Sequence, residues 1–203
     1  HRVRRGAVRV RRHDLGVEIV DAAGNADRFD GIVLACHADE ALALLDDADA
    51  AERAILGAIR FRATDVVLHR DTGLMPRARD AWAAWTILNR PGPEGGPAVT
   101  YWMNALQGID PATPLFVSLD PPRPPAPELT LKRVRLSHPQ FDRAAIAAQA
   151  RLGALQGVRR TWFCGAWTGY GFHEDGVRSG LDVAAALGAA IPWRAGRPAR
   201  AAA

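Results

Sequence analysis

The segment at residues 161–188 constrains the fold more than any other part of the chain. A short apolar run at 161–164 precedes a loop with glycines at positions 165, 169, 171 and 176, and a helical pattern follows at about 176–187. Glycine permits turns and close approaches that a Cβ atom would block. The N-terminus of the following helix presents unpaired N–H groups and a positive dipole potential. The segment therefore predicts a strand, a ligand-facing loop and a helix.

The loop is rich in aromatic and titratable side chains. Within nine residues it carries Trp167, Tyr170, Phe172, His173, Glu174 and Asp175. Exposed aromatic rings are unfavourable unless a ligand or a partner covers them. By spacing alone, an ordinary strand–loop–helix with a structural glycine loop explains the segment equally well. The composition of the loop favours a ligand site.

The first 60 residues predict a change from antiparallel to buried parallel structure. Residues 7–12 and 16–21 alternate apolar and polar side chains, so the first 30 residues predict a β-meander. The continuous apolar run at 31–36 predicts a strand buried on both faces. Helices are expected at 38–46 and 50–59.

A second group of strands follows, and the chain then returns to mixed helix and strand. The predicted strands of this group are 64–69, 81–88, 98–106 and 115–119, with a stiff proline-rich connection at 120–127. Residues 129–136 predict a further strand, and the apolar stripe from Phe141 to Leu155 predicts a helix. A β block inserted between α/β pieces predicts a mixed α/β (α+β) fold of two interleaved domains, which is common among cofactor enzymes.

Charge argues weakly for a nucleic-acid partner. The net charge is +4, but Lys132 is the only lysine among 26 basic residues. This arginine bias is typical of a GC-rich coding sequence, so no nucleic-acid partner is expected. A basic nucleic-acid-binding protein stays an alternative, which a steep salt dependence of binding would reveal.

Several other classes are excluded by composition. The longest nearly uncharged apolar stretch near the C-terminus, at 183–193, is too short to cross a membrane, so no span is expected. Cys36 and Cys164 are too few for a disulfide framework or a four-ligand zinc site, and no metal is expected. The sequence shows no signal-like segment, which predicts a cytoplasmic location.

Four stretches of the sequence carry a family resemblance. The phrases WFCGAWTGYGFHEDGVRSG, YWMNALQGID, LHRDTGLMPRARDAWAAW and IVLACHADEAL resemble the flavin-containing amine oxidase superfamily, and especially a bacterial group of predicted NAD/FAD-binding oxidoreductases. The resemblance implies the C-terminal part of a dinucleotide-binding domain, interleaved with an antiparallel β substrate domain. It also implies FAD as the cofactor.

The resemblance assigns cofactor contacts to two regions. Gly165 and Ala166 would lie along the ribityl chain and pyrophosphate of FAD, and Trp167 stands where many amine oxidases carry a cofactor-contacting glutamate. Ala35 and Cys36, with His37 beside them, would border the cofactor. The first turns of the last helix would lie beneath the flavin ring, through Glu174, Asp175, Gly176 and Val177. A backbone N–H near Asp175 or Glu174 would donate a hydrogen bond to the C2 carbonyl of the flavin.

Other candidates are weaker. His173 is the favoured acid–base group near the flavin, although a structural role in the loop explains it equally well. Tyr101 and Trp102 are candidate substrate-lining residues, with core packing as the alternative. His69 and Asp71 at a strand end are candidate substrate-facing groups, and ordinary polar residues on the protein surface are the alternative.

The resemblance also implies a missing part. The family's Gly-x-Gly-x-x-Gly phosphate loop does not occur in these 203 residues, so the chain is expected to be a C-terminal half that holds FAD weakly or not at all. The expected segments are the meander, strand and helix of the FAD-binding domain (1–47), the substrate β block (48–136), the last helices and strand of the FAD-binding domain (137–191) and a tail (192–203).

These expectations combine into one function. The parent protein would be an FAD-dependent oxidoreductase that transfers a hydride from a small or lipid-like substrate to the flavin. The isolated chain would be inactive without the missing half. The alternative is a non-catalytic fragment or binding module that does not retain FAD.

Overall fold

A computed structural model describes residues 6–89, 96–191 and 193. The strands are β1 Ala7–His13, β2 Gly16–Asp21, β3 Ala26–Phe29, β4 Ile32–Leu34, β5 Phe61–His69, β6 Trp85–Asn89, β7 Pro97–Trp102, β8 Phe116–Leu119, β9 Thr130–Pro139 and β10 Thr161–Phe163. The α-helices are α1 Ala38–Leu44, α2 Ala50–Leu56, α3 Met103–Gln107, α4 Arg143–Gln149 and α5 His173–Ala186. This mixture of helices and mainly antiparallel sheets confirms the predicted fold class.

The chain divides into two compact units. The split unit contains the residues up to Phe61 and those from Pro139 onward, and the sheet unit contains Arg62–His138. The predicted boundary after residue 47 lies too early, because α2 belongs to the split unit. Its residues Ile55 and Leu56 are buried in the same apolar core as Val10 of β1. The functional labels given to the segments stay predictions.

The split unit contains two small sheets. Strands β1, β2 and β3 pair antiparallel in chain order, which confirms the predicted meander. Strand β4 pairs in parallel with β10, with Ile32 opposite Thr161 and Leu34 opposite Phe163. The prediction that this strand is buried on both faces is wrong for Val33, which is 40% exposed. In the described part of the chain β4 has β10 as its one pairing partner.

The last helix begins earlier than its glycine pattern predicts. Helix α5 starts at His173 and not at Gly176. The reason is the Asp175 carboxylate, which accepts hydrogen bonds from the backbone N–H groups of Tyr170 at 3.0 Å and Phe172 at 3.1 Å. These bonds close the first turn three residues before the glycine. The predicted helix at 141–155 also differs, because α4 ends at Gln149 and a 3-10 turn at Leu152–Leu155 completes the apolar stripe.

The sheet unit is a five-stranded sheet in the order β6-β7-β8-β5-β9. The predicted strand at 98–106 is too long, because the chain turns into α3 after Trp102. The buried Asn104 side chain stabilises this turn: it donates to the carbonyls of Asp110 and Thr113, each at 2.8 Å, and accepts from the Leu115 N–H at 2.7 Å. The predicted strand at 81–88 starts only at Trp85, because residues before it form a 3-10 turn.

Two further predictions concern a membrane-spanning segment and the C-terminal tail. Among the described residues, no helix is long and apolar enough to cross a bilayer. The predicted tail at 192–203 lies outside the described residues, apart from Trp193.

Candidate functional site

A cavity of about 510 Å³ lies in the split unit at the carboxyl ends of the parallel strands β4 and β10. Ligands of open α/β sheets bind in crevices outside these strand ends. The segments that follow the two strands form most of the cavity wall, and α1, the start of β5 and the end of β9 complete it. The lining residues are Ala35, Cys36, His37, Glu40, Phe61, Pro139, Gly165, Ala166, Trp167 and Gly171.

Five predicted cofactor residues meet in this cavity. Ala35 and Cys36 come from the end of β4, and Gly165, Ala166 and Trp167 follow β10. The first turns of α5, outside the cavity lining, carry the predicted acid–base group His173 and the other predicted cofactor contacts: Glu174, Asp175, Gly176 and Val177. Gly176 nevertheless lies close to the wall, because a Cβ placed on it would be 3.6 Å from the Ala166 nitrogen.

Gly165 at the end of β10 has a backbone that a larger residue would strain. Its φ is +148°, and a Cβ there would lie 2.7 Å from the indole nitrogen of Trp167. The hydroxyl of Ser179 on α5 accepts a hydrogen bond from the Gly165 N–H at 3.0 Å. Ser179 therefore fixes the strand end to the last helix. No local pattern marks this serine in the sequence, since hydroxyls on helices are common.

Trp167 connects the two strand ends. Its buried indole N–H donates to the Cys36 carbonyl at 2.9 Å. Gln149 of α4 donates from its amide to the carbonyls of Trp167 at 2.8 Å and Gly169 at 2.6 Å. The ring is thus covered by the protein itself. Tyr170 and Phe172 are the loop aromatics left without such cover, at 72% and 61% exposed, so a ligand or a partner is expected over these two rings.

The side chain of Asp175 stabilises the loop through hydrogen bonds. Besides the two backbone bonds that close the first turn of α5, its carboxylate accepts from the guanidinium of Arg178. The N–H groups of Asp175 and Gly176 both donate to the Phe172 carbonyl. The Glu174 N–H has no acceptor within the described part of the chain. Of the two backbone donors named by the resemblance, Glu174 is the one available to a ligand.

The thiols near the cavity are neutral. Burial raises the pKa of both Cys36 and Cys164, and the charge of Glu40 raises that of Cys36 further. A protonated thiol is a poor nucleophile and metal ligand. The described residues contain no cluster of His, Cys, Asp and Glu that could hold a metal ion.

Tyr101 and Trp102, the predicted substrate residues, lie on opposite faces of the sheet in the sheet unit. Adjacent strand residues alternate between faces. Tyr101 packs edge-on against the exposed Trp85, with ring centroids 5.2 Å apart. Trp102 packs edge-on against Trp82 at 5.3 Å. Tyr101 is therefore on the face with the exposed tryptophan, and Trp102 packs within the unit.

His69 and Asp71 hold the sheet unit together instead of facing solvent. The buried His69 accepts at Nδ1 from the Asp71 N–H at 3.2 Å, so its neutral ring donates from Nε2 to Ser118 Oγ at 2.8 Å. Ser118 in turn shares a hydrogen bond with Thr100 at 2.7 Å. The Asp71 carboxylate pairs with Arg123 at 2.9 Å. His69 is fully buried in this network, so it is not a surface residue.

The free energy of unfolding is expected to fall as the pH is lowered from about 7 to about 5. Burial lowers the pKa of His69 below 6.5, although the nearby Asp71 charge opposes the shift. The unfolded chain therefore binds a proton in this range that the folded chain does not, and one such group contributes at most about 1.4 kcal/mol per pH unit. Urea unfolding across this range measures the slope.

The matched control is a second histidine. His69→Gln is expected to flatten the slope, whereas His13→Gln, at the exposed end of β1, is expected to leave it unchanged. Equal slopes in all three proteins would contradict the assignment.

Asp71 affects stability at lower pH. The hydrogen bond from Arg123 lowers the pKa of Asp71 to about 2, so its contribution to the free energy of unfolding is lost only as the pH falls below about 4.

Comparison with known proteins shows that this chain shares its fold with solved structures. The sequence matches no protein-family model and no curated protein sequence. A CLA-producing fatty acid isomerase from P. acnes shares the fold with 14% identity, a TM-score of 0.56 and coverage of 90% of this chain and 47% of that one. A reduced UDP-galactopyranose mutase matches with 12% identity, a TM-score of 0.59 and coverage of 92% and 47%.

A third solved structure agrees with these two. Cyclohexylamine oxidase from Brevibacterium oxydans matches with 11% identity, a TM-score of 0.52 and coverage of 90% of this chain and 47% of that one. The chain thus spans about half the length of the structures that it resembles. Over that half it has the fold that these solved structures share.

Proposed function

We propose that this chain is part of an FAD-dependent oxidoreductase that removes a hydride from a C–H bond of a small or lipid-like substrate. The observation that carries the proposal is the cavity at the ends of β4 and β10, because it unites Ala35, Cys36, Gly165, Ala166 and Trp167. The proteins of similar fold include one named as an amine oxidase and one named as a fatty acid isomerase. Amines and fatty-acyl compounds are therefore the first substrates to consider.

The cavity suits part of a dinucleotide. Its volume of about 510 Å³ lies within the usual range of small-molecule sites. Gly165 and Ala166 present backbone and small side chains to it, so a flat or extended group can approach the chain closely. The bonds from Ser179 and Trp167 hold this wall in place before a ligand arrives.

Helix α5 is proposed to support the reactive end of the cofactor. Bound FAD would supply the acceptor of the hydride, and the chain would supply position and electrostatics. The free N–H of Glu174 at the positive end of this 14-residue helix is the proposed donor to the flavin, with Gly176 and Val177 beneath it. Asp175 would contribute by holding the loop. His173, exposed at the first position of α5, is the proposed proton-exchanging group.

A second segment is proposed to complete the site. The chain spans about half the length of its structural neighbours. In the described residues β4 is paired on one side only, and its central residue Val33 is exposed. A strand–turn–helix with a Gly-x-Gly-x-x-Gly loop, in the same protein or in another chain, would extend this sheet and supply the donors for the pyrophosphate.

The proposal is tested by blocking the cavity. FAD added to the purified chain is expected to bind, with a change in flavin fluorescence, but too weakly to survive gel filtration. Ala35→Trp places a large ring at an exposed position of the cavity wall and is expected to weaken binding by about tenfold or more.

The control places the same ring elsewhere. Ala23→Trp alters an exposed turn of the meander outside the cavity and is expected to leave FAD binding unchanged. A wild-type chain that shows no fluorescence change with FAD would favour the alternative of a binding module that holds no flavin. Equal weakening by both variants would place the FAD site elsewhere.

A further inference from the structure

The five-stranded sheet of the sheet unit has one face on which two neighbouring rows of side chains are entirely apolar. Residues directly opposite one another on paired strands lie on the same face of a sheet. Read across β6, β7, β8 and β5, one row is Trp85, Tyr101, Val117 and Leu68. The next row is Ile87, Val99, Leu119 and Val66. These two rows are called the apolar face below.

The apolar face is the more exposed of the two faces of this sheet. Trp85 is 55% exposed and Ile87 is 64% exposed, and no other residue of the two rows is buried. On the opposite face, the polar side chains of Thr100, Ser118 and His69 are buried. A sheet with one covered face normally buries its apolar side and exposes its polar side. Contiguous exposed apolar surface of this kind marks a site of contact with a partner or a membrane.

Strand β9 gives one edge of this sheet a positive charge. Its exposed basic residues are Lys132, Arg133 and Arg135, and in the described part of the chain none of them pairs with a carboxylate. Arg62 and Arg123 of the same unit, by contrast, both pair with aspartates. Because adjacent residues of a strand lie on opposite faces, either Lys132 or Arg133 is on the side of the apolar face. Unpaired positive charge therefore borders the apolar rows.

The same edge strand exposes apolar side chains between its charges. Leu131 and Leu136 of β9 are 50% and 49% exposed. Basic residues on an edge strand can block pairing with another sheet, but exposed leucines beside them would not serve that purpose. The mixture suits the boundary between acyl chains and anionic headgroups, because basic side chains extend their charge to the headgroups while their apolar stems stay with the acyl chains. Tryptophan and tyrosine, here Trp85 and Tyr101, favour the same boundary.

From these observations we infer that the apolar face, together with the basic edge formed by Lys132, Arg133 and Arg135, binds the surface of an anionic lipid bilayer. Trp85 and Ile87 enter the headgroup layer, and the basic edge contacts the lipid phosphates. The chain lies on the bilayer and does not cross it. All of these residues belong to the sheet unit, whereas the proposed FAD cavity belongs to the split unit. Lipid binding can therefore be tested separately from FAD binding.

The experiment measures co-sedimentation of the purified chain with unilamellar vesicles of phosphatidylcholine, prepared with or without phosphatidylglycerol. We expect binding to the anionic vesicles, with a shift of tryptophan emission to shorter wavelength as Trp85 leaves water. Binding to vesicles of phosphatidylcholine alone is expected to be at least about tenfold weaker, and added salt is expected to weaken binding to the anionic vesicles.

One pair of variants tests the apolar contact. Trp85→Ser combined with Ile87→Ser removes two exposed side chains, so the fold is expected to remain and the affinity for anionic vesicles to fall by about tenfold or more. The control is Leu15→Ser, which removes a side chain of the split unit that is 90% exposed and is expected to leave vesicle binding unchanged. Circular dichroism checks the fold of each variant.

A second pair of variants tests the charge. Each basic residue at an anionic membrane contributes about fivefold, so replacing the whole basic edge with glutamine is expected to weaken binding roughly a hundredfold. The control removes the same net charge from exposed positions of the split unit and is expected to weaken binding by less than about threefold. Its substitutions are Arg53→Gln, Arg143→Gln and Arg151→Gln.

The outcomes separate lipid binding from its alternatives. Absence of binding to anionic vesicles, equal binding to neutral vesicles, or full affinity in the variant with serine at positions 85 and 87 would overturn the inference. So would equal losses in the two glutamine variants, because net charge and not the basic edge would then be responsible. If ultracentrifugation shows dimers that the serine variant does not form, and vesicles are not bound, the apolar face is an interface between two copies of the chain. Loss of FAD binding with intact vesicle binding would contradict the proposed function alone.

Discussion

Replacing Trp167 with alanine is expected to lower the free energy of unfolding by about 3–5 kcal/mol, the usual cost of deleting a large buried aromatic ring. The ring is packed in the core of the split unit, and its N–H is bonded to the Cys36 carbonyl. Its removal leaves a cavity and a partly buried carbonyl without its hydrogen-bond donor. Urea unfolding followed by circular dichroism measures the loss.

Two further variants test the cause of this loss. Trp167→Phe keeps most of the apolar volume and loses the hydrogen bond, so we expect a smaller decrease of about 1–3 kcal/mol. Tyr170→Ala removes an exposed ring from the same loop and retains its backbone bond to Asp175, so stability is expected to change by less than about 0.5 kcal/mol. A Tyr170→Ala loss as large as that of Trp167→Ala would refute the packing argument.

Replacing Arg12 with leucine is expected to cost about 3–5 kcal/mol, because it leaves a buried carboxylate unpaired. The side chains of Arg12 and Glu52 are only 1% and 3% exposed, and their groups form a two-bonded ion pair between β1 and α2. Burial alone would lower the pKa of Arg12, but the hydrogen bonds and charges of Glu52 and Asp47 outweigh it and raise that pKa.

The neighbouring arginine provides the control. Arg11 pairs with Asp46 at 2.9 Å, but its side chain is 46% exposed. Arg11→Leu is therefore expected to cost less than about 1 kcal/mol. The double variant Arg12→Leu with Glu52→Leu removes both charges and is expected to be more stable than Arg12→Leu alone. Equal losses of stability in Arg12→Leu and Arg11→Leu would show that burial of the ion pair does not control its contribution to the free energy of unfolding.

Local patterns in the sequence were sufficient to predict most of the secondary structure. Alternation identified β1 and β2, and the apolar runs identified β4 and β10, because these signals need only neighbouring residues. The start of α5 was missed because it depends on where the Asp175 carboxylate finds its donors. The end of β7 was missed because Asn104 bonds to a loop up to eleven residues away.

The candidate site was predictable only in part. Residues that directly follow strands, such as Cys36 and Gly165, could be assigned from the strand pattern and the motif resemblance. Phe61 and Pro139 could not, because they come from distant elements and no local signal marks a residue as part of a wall. The same holds for Ser179 and Gln149, whose hydrogen bonds fix the loop across 14 and 18 residues.

By itself the sequence determined most of the order of strands and helices, the interruption of the α/β pieces by a β block and the glycine loop after β10. These follow from side-chain periodicity and glycine content, which act over a few residues. Tertiary structure decided which residues surround the cavity, that His37 stacks on Phe61, and which tryptophan rings Tyr101 and Trp102 pack against. Those outcomes depend on packing between residues far apart in the chain, and no local pattern encodes such distances.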